Sequence, residues 1–358
     1  MTSEFAELHD ELRGVARSVL AASRPEVAVD PVALARAGWL GLEVPEELDG
    51  AGVTFAETAV VAEELGRAAA RTAFLGSVVL GVGLVSRLAA SPRRDELLRD
   101  LASGELTVAV ALGADAGELV GAPPFRLESA DGGWRLSGSA AFVPDVAEAG
   151  TLLLVAGSGD DVVAVEVRPG ADGLAVTGQP VLDASRSLAS ITADAVAVEE
   201  AAVLRFAGDG AAAVREVADR AAVALACDSL GIAAKMLETT VAYVGVRFQF
   251  GRAVGSFQSV KHACADMFVQ VSVARQLVAQ AVHAVASGAS DAGTAAAMAA
   301  SYADEAAVKV AGAAMQLHGG IGYTWESGIH AYLKRAALNR SLFGSPAAHR
   351  ATLAARYR

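Results

Sequence analysis

The chain is short of several things, and each shortage closes off a class of function. It has two cysteines, Cys227 and Cys264, among 358 residues. Both fall in stretches that read as helix, which suits reduced thiols rather than a disulfide framework or a metal centre. Aromatic residues make up 5% of the sequence. With so few large rings and so many alanines, close helix packing is favoured over a large sheet core. Positive charge is also scarce: 29 Lys and Arg against 41 Asp and Glu leave a net charge of −12. A nucleic-acid binder needs a basic footprint to neutralise phosphates, so that class is set aside. One small anionic ligand held by one or two arginines is still compatible. No hydrophobic run is long enough to span a membrane. The nearest, Thr72 to Ser86, is short and interrupted by Gly76, Gly81 and Gly83, and it reads as a buried helix. The polar, acidic start, Met1-Thr2-Ser3-Glu4-Phe5, does not look like a secretory leader, so the expected location is cytoplasmic.

Hydrophobic residues make up 53% of the chain and charged residues 20%, enough to bury a sizeable core. At about 150 residues per domain, the length suggests two or three domains. The periodicity divides the chain into three. Residues 1–105 read as helical: Phe5, Leu8, Leu12, Val15 and Val19 form one face. A second helix over Val32 to Ala37 ends at Gly38, and Leu42 to Pro45 reads as an extended exit. Thr54 with Glu57 is a capping box for a further helix. Residues 106–205 change character. Leu106–Leu112, Trp134–Ser137, Thr151–Val155, Val162–Val167 and Ile191–Val198 are short and apolar or β-branched, with turn signals such as Asp131-Gly132-Gly133 between them. They predict a small antiparallel β-domain. Residues 206–358 return to helix: Phe257, Val260, Cys264, Met267, Val271, Ala274, Val278, Ala281 and Val285 recur at three- and four-residue steps, the stripe of a bundle helix. The expected class is α+β, mainly α, with a C-terminal four-helix bundle.

Two segments carry chemistry. Arg247 to His262 joins two long helices; Gly251 and Gly255 allow a reversal, Ser256 is placed to cap the second helix, and Arg247 offers a planar fork to a phosphate. By itself the segment also serves as a plain helix corner with a surface arginine. Gln316-Leu-His-Gly-Gly-Ile-Gly-Tyr323 has three glycines in four residues, so its backbone can approach a ligand and its N–H groups can cradle an anion, or it is simply a helix C-cap and turn.

Taken together, Arg247, Phe250-Gly251, Phe257-Gln258, Lys261-His262 and Asp266-Met267, followed by Gln316, Gly319-Gly320 and Gly322-Tyr323, resemble the acyl-CoA dehydrogenase flavoproteins. The resemblance extends to Gly38–Gly50 and Glu63–Arg67, and so covers nearly the whole chain. It implies FAD as cofactor and an acyl-CoA thioester as substrate. It implies that Arg247, Phe250, Gln258, Gln316, Gly319 and Gly320 reach the FAD of a neighbouring subunit. Lys261, His262, Glu326 and Lys334 are also typical of the family, and are read here as structural. It implies an electron-transfer flavoprotein as a possible acceptor, and no metal.

The same comparison exposes gaps. Family chemistry takes an α-proton with a Glu base while hydride leaves the β-carbon. Phe343 stands where that Glu is expected, and the alternative position falls on Ala221. The stretch Ala114 to Glu118 departs from the family's FAD- and substrate-contacting loop. Pro144 replaces a flavin-facing threonine, and Ala222 replaces a substrate-holding arginine that follows Asp219. In heterotetrameric relatives one subunit type carries the base and the other does not. The leading expectation is therefore a base-lacking partner that lends FAD contacts to a second subunit. Two other readings stay open: an active homo-oligomer with the base moved to Asp228 or Glu238, and a non-redox acyl-CoA-binding or assembly protein.

Overall fold

The computed structural model describes residues 3–113, 116–130 and 132–356. Ala114, Asp115 and Asp131, named above, lie outside them. The first third is helical. α1 (Ser3–Val19) packs on α3 (Phe55–Ala68), with the short α2 (Pro31–Arg36) between them in sequence. The capping box of α3 forms: the Thr54 side chain accepts from the Ala56 N–H at 3.2 Å, and Glu57 accepts from the Thr54 N–H at 2.9 Å. Leu42 to Pro45 is a turn rather than an extended exit. The Val44 N–H bonds the Gly41 carbonyl at 3.2 Å, and a Cβ on Gly50 would lie 2.0 Å from the Val44 oxygen. That turn delivers Glu43 to the buried Arg220, 177 residues away, at 2.6 Å. Thr72 to Ser86 is largely buried and helical, but Leu75–Val82 is wound as a π-helix that runs into α4 (Gly83–Val85). α5 (Pro92–Ser103) completes this part, started by Ser91 and closed by Gly104 at φ +79°.

The middle is an eight-stranded sheet: β1 (Val108–Ala111), β2 (Phe125–Ala130), β3 (Gly133–Pro144), β4 (Thr151–Ser158), β5 (Asp161–Val167), β6 (Leu174–Gln179), β7 (Leu188–Val198) and β8 (Val203–Arg205). Its order is β6-β7-β3-β2-β4-β5-β8, with β1 also on β4. The sheet is mixed rather than purely antiparallel. β1 and β2 lie end to end along one edge of β4, both parallel to it, while β5 pairs antiparallel on the other edge. The continuous apolar run of β4 follows from burial on both faces. Leu152 and Leu154 enter a core within the β-layer, and Leu153 and Val155 join the helical core.

The last third holds α6 (Gly210–Val246), a two-strand ribbon of β9 (Phe248–Gln249) and β10 (Arg252–Ala253), then α7 (Gln258–Ala286), α8 (Ala292–His318), α9 (Ile329–Asn339) and α10 (Pro346–Ala355). α6 is the central post. It packs against α3, the π-helical stretch, α7, α8 and α9, so residues 220–233 are buried all round and the helix has no polar stripe there. Its contact with α3 is backbone on backbone. A Cβ on Gly231 would lie 1.9 Å from the Glu63 carbonyl oxygen, and one on Gly66 would lie 2.0 Å from that of Asp228. Gly231→Ala must push the two helices apart and should cost about 1–3 kcal/mol. Urea unfolding of the variant checks this; an unchanged midpoint would show that the crossing yields without strain.

Candidate functional site

The Arg247 corner is built from a tight hairpin. The Arg247 N–H bonds the Tyr243 carbonyl at 2.9 Å and its own carbonyl accepts from Val254 at 2.7 Å. Gln249 pairs with Arg252, leaving Phe250 and Gly251 as a two-residue turn with φ of +52° and +75°. A type I′ turn asks for positive φ at both positions, which favours Asn or Gly. A phenylalanine there is strained, and it holds its ring 92% exposed, the largest exposure among the big apolar side chains of the described residues. The Phe250 edge meets Phe257 at 6.3 Å, and the Arg252 guanidinium lies over the Phe257 ring at 3.9 Å. Ser256 does not cap α7. Its hydroxyl donates back to the Ala253 carbonyl at 2.7 Å, and Phe257 occupies the capping position without a side-chain bond. Arg247 and Gln258 are exposed.

The second segment ends α8. Gly319 takes φ +62° and ψ −143°, and both Gly319 and Gly320 have open space where a Cβ would stand. Gln316 is exposed. The two segments meet at one end of the bundle, because the Tyr243 ring stacks on the His318 ring at 4.3 Å. Sequence reasoning missed this pair; nothing in the local pattern joins residues 75 apart. Lys261, His262 and Glu326 are exposed, and Lys334 covers the Trp325 ring at 5.2 Å.

The positions expected to serve this chain's own chemistry lie elsewhere. The end of β1, the bulged end of β3 and the turn before α10 converge on a cavity of about 20 Å³ lined by Leu112, Gly113, Phe142, Pro144, Leu342 and Phe343. A single water needs about 10–15 Å³ of such space, so within this chain alone the cavity holds little more than one water. Phe142, at φ +54°, donates its N–H to the Gln179 side chain at 2.6 Å, and Pro144 has none to donate. Two backbone bonds pin the wall: Gly117 to the Ser341 carbonyl at 2.8 Å, and Ser345 to that of Gly117 at 3.0 Å.

Phe343 also borders a larger cavity of about 490 Å³, reached by Arg215, Asp219, Thr294, His349 and Arg356. Burial, with Glu216 adding to it and Arg215 opposing, pushes the Asp219 carboxyl up to about 6. Burial lowers the His349 pKa, and its Nε2 has no partner among the described residues. The sequence pointed to Asp219 only as half of a broken motif; its proximity to the Phe343 cavity was not legible there.

Both carboxylates named as substitute bases are held in ion pairs. Asp228 is locked in a buried cluster. Its carboxylate accepts from Arg335 Nε at 3.0 Å and Asn339 Nδ2 at 2.8 Å and lies 3.3 Å from Arg186. Burial raises its pKa, but the two guanidiniums and these bonds outweigh it and hold the group below its ordinary value. Glu238 is half exposed on the outer side of α6, paired with Arg67 and Lys235. Ala221 is fully buried.

Residues 2–105 match the acyl-CoA dehydrogenase N-terminal domain family, and residues 208–357 match the acyl-CoA dehydrogenase C-terminal domain family. This chain belongs to the acyl-CoA dehydrogenases. It is similar to the acyl-CoA dehydrogenase IpdE2 of Mycolicibacterium smegmatis, 33% identical over 333 residues that cover 92% of this chain and 89% of that one. Among solved structures it is similar to a variant of the Tcur3481-Tcur3483 steroid ACAD, with 31% identity, a TM-score of 0.85, and 98% and 97% of the two chains covered. The ChsE4-ChsE5 complex of Mycobacterium tuberculosis shares the fold at 24% identity and a TM-score of 0.87, over 100% and 98% of the chains. Among the described residues of this acyl-CoA dehydrogenase, no helix is long and apolar enough to cross a membrane.

Proposed function

We propose that this chain is the base-lacking subunit of an FAD-dependent acyl-CoA dehydrogenase built from two kinds of subunit. The reading rests on a contrast between the two halves of the site. Where this chain's own flavin would lie, Phe142, Pro144 and Phe343 line a space of about 20 Å³. The half a subunit extends to its neighbour is open. Arg247, Phe250, Gln258, Gln316, Gly319 and Gly320 are all exposed at one end of the bundle.

FAD, when bound, accepts the hydride from the β-carbon of the acyl thioester. This chain's residues supply its holding. Arg247 offers a charged fork to the pyrophosphate, Phe250 an apolar face, Gln258 and Gln316 side-chain amides, and Gly319 and Gly320 bare backbone N–H groups. The partner subunit supplies the carboxylate that removes the α-proton. Resemblance to two proteins named for paired chains supports the second subunit. An electron-transfer flavoprotein fits as acceptor for the assembled enzyme.

The cavity beside Phe343 favours a second reading. It is large enough for part of an acyl-CoA, and it keeps Asp219 and two arginines, Arg215 and Arg356. On this reading the chain binds the thioester without oxidising it.

Acyl-CoA oxidation by the purified chain, alone and mixed with its co-expressed partner, separates these. Losing a positioned base costs about 10²–10⁴-fold, so the lone chain should show background turnover and the pair should be active. Full activity of the lone chain overturns the proposal; a colourless, inactive pair favours the second reading. Phe343→Glu should restore no measurable oxidation to the lone chain, because Phe142 and Pro144 still close the ring space. Oxidation by that single variant would show that the missing carboxylate was the only defect.

A further inference from the structure

We propose that Tyr243 and His318 form a positioning clamp that fixes the two flavin-facing segments against each other. The inference rests on the subunit reading above and adds two residues to it. Arg247 lies one helical turn past Tyr243, and Gly319 follows His318 directly, so any tilt between these two rings moves the guanidinium relative to the glycine N–H groups. The rings are held face to face, 4.3 Å apart and 19° from parallel. The Tyr243 hydroxyl reaches the His318 carbonyl at 3.4 Å, the last carbonyl before the glycines. His318 is itself fixed: it is 7% exposed, and its Nδ1 lies 2.8 Å from the Ala314 carbonyl oxygen. A carbonyl oxygen only accepts, so Nδ1 carries the ring proton and the ring cannot turn without losing that bond.

The next two links keep the clamp from being absorbed by loose backbone. The Val244 carbonyl sits 3.0 Å from where a Cβ on Gly255 would be, which seats the start of α7 on the end of α6. A Cβ on Gly322 would lie 2.7 Å from the Met315 carbonyl, so the glycine loop folds back on the last turn of α8. Each segment is thus stiff, and the stack is the side-chain tie between them.

Tyr243 and His318 touch no reacting atom in this scheme. They act through Arg247, Gly319 and Gly320, and a merely structural role would lower thermal stability without changing how the assembled enzyme holds its flavin. The test uses the co-expressed complex and reads flavin release by fluorescence and the flavin reduction potential. Tyr243→Leu and His318→Leu fill the same space without stacking, and each should speed flavin release about three- to tenfold. Tyr243→Phe and His318→Phe keep a ring pair and should stay within about twofold of the unaltered complex. If both leucine variants assemble and release flavin at the unaltered rate and potential, the clamp is refuted and the subunit reading stands. If the leucine variants do not assemble, the phenylalanine variants decide: unaltered release supports the clamp, and release as fast as expected for its loss refutes it. If flavin in the unaltered complex proves independent of this chain, the subunit reading itself fails.

Discussion

Arg247→Ala in the assembled complex is expected to weaken flavin binding about ten- to a hundredfold while leaving the fold of this chain unchanged. The stability half of that statement follows from exposure. Arg247 lies outside the core at the end of α6, where truncation of a side chain in water is close to neutral. The binding half follows from charge. A hydrogen bond to an ionised group is worth about 1.5–3 kcal/mol, and each 1.4 kcal/mol is about a factor of ten in affinity. Arg247→Lys keeps the charge but loses the planar fork, and should recover only part of the loss. Equilibrium dialysis of the complex against free FAD measures it. Binding within a factor of two of the unaltered complex would remove Arg247 from the site.

Asp228→Ala is expected to cost this chain about 3–5 kcal/mol, because it leaves two buried guanidiniums without their counter-charge. Arg335 also donates to the Ala70 carbonyl and the Ser185 hydroxyl, both at 2.8 Å, and Arg186 donates to the Asn339 side chain at 3.0 Å. The cluster therefore ties the N-terminal helices, the β-layer and α9 to the middle of α6. Its pH dependence has a definite sign. A carboxyl held below its unfolded value contributes fully above that value, about 3.9, and the contribution fades as pH falls through the folded pKa. Urea unfolding at pH 7 and at pH 3 should show the gap between Asp228→Ala and the unaltered chain shrinking at the lower pH. A variant that folds normally but loses oxidation would instead revive Asp228 as the base.

How much of this was legible in the sequence varied with distance along the chain. The long bundle helices were, because Val271, Ala274, Val278 and Ala281 face one core at spacings a helix sets locally. The Thr54–Glu57 box was, because both partners lie within one turn. The pairing of β1 and β2 with β4 was not: periodicity marks a strand but not its neighbour, and antiparallel was the default for strands joined by short turns. β2, β6 and β8 passed unmarked, for Phe125–Ala130 and Leu174–Gln179 carry several exposed polar or small residues. The exposed residues proposed to face flavin were named from resemblance alone, since glycines and a surface arginine carry little signal by themselves. The partners of Asp228 lie 42 to 111 residues away and Tyr243 lies 75 from His318, so both needed the fold.

Phe343, Pro144 and Ala221 raise the expectation of a lost site, and Phe343 and Pro144 line the cavity of about 20 Å³. The claim that remains most exposed to test is that this chain holds flavin only for a neighbour. Flavin stoichiometry measures it directly, by absorbance of the lone chain and of the complex after dialysis in excess FAD. The account predicts no flavin on the lone chain and one flavin for each pair of unlike subunits, lost when Arg247 is replaced in this chain. One flavin bound to every copy of the lone chain would contradict it.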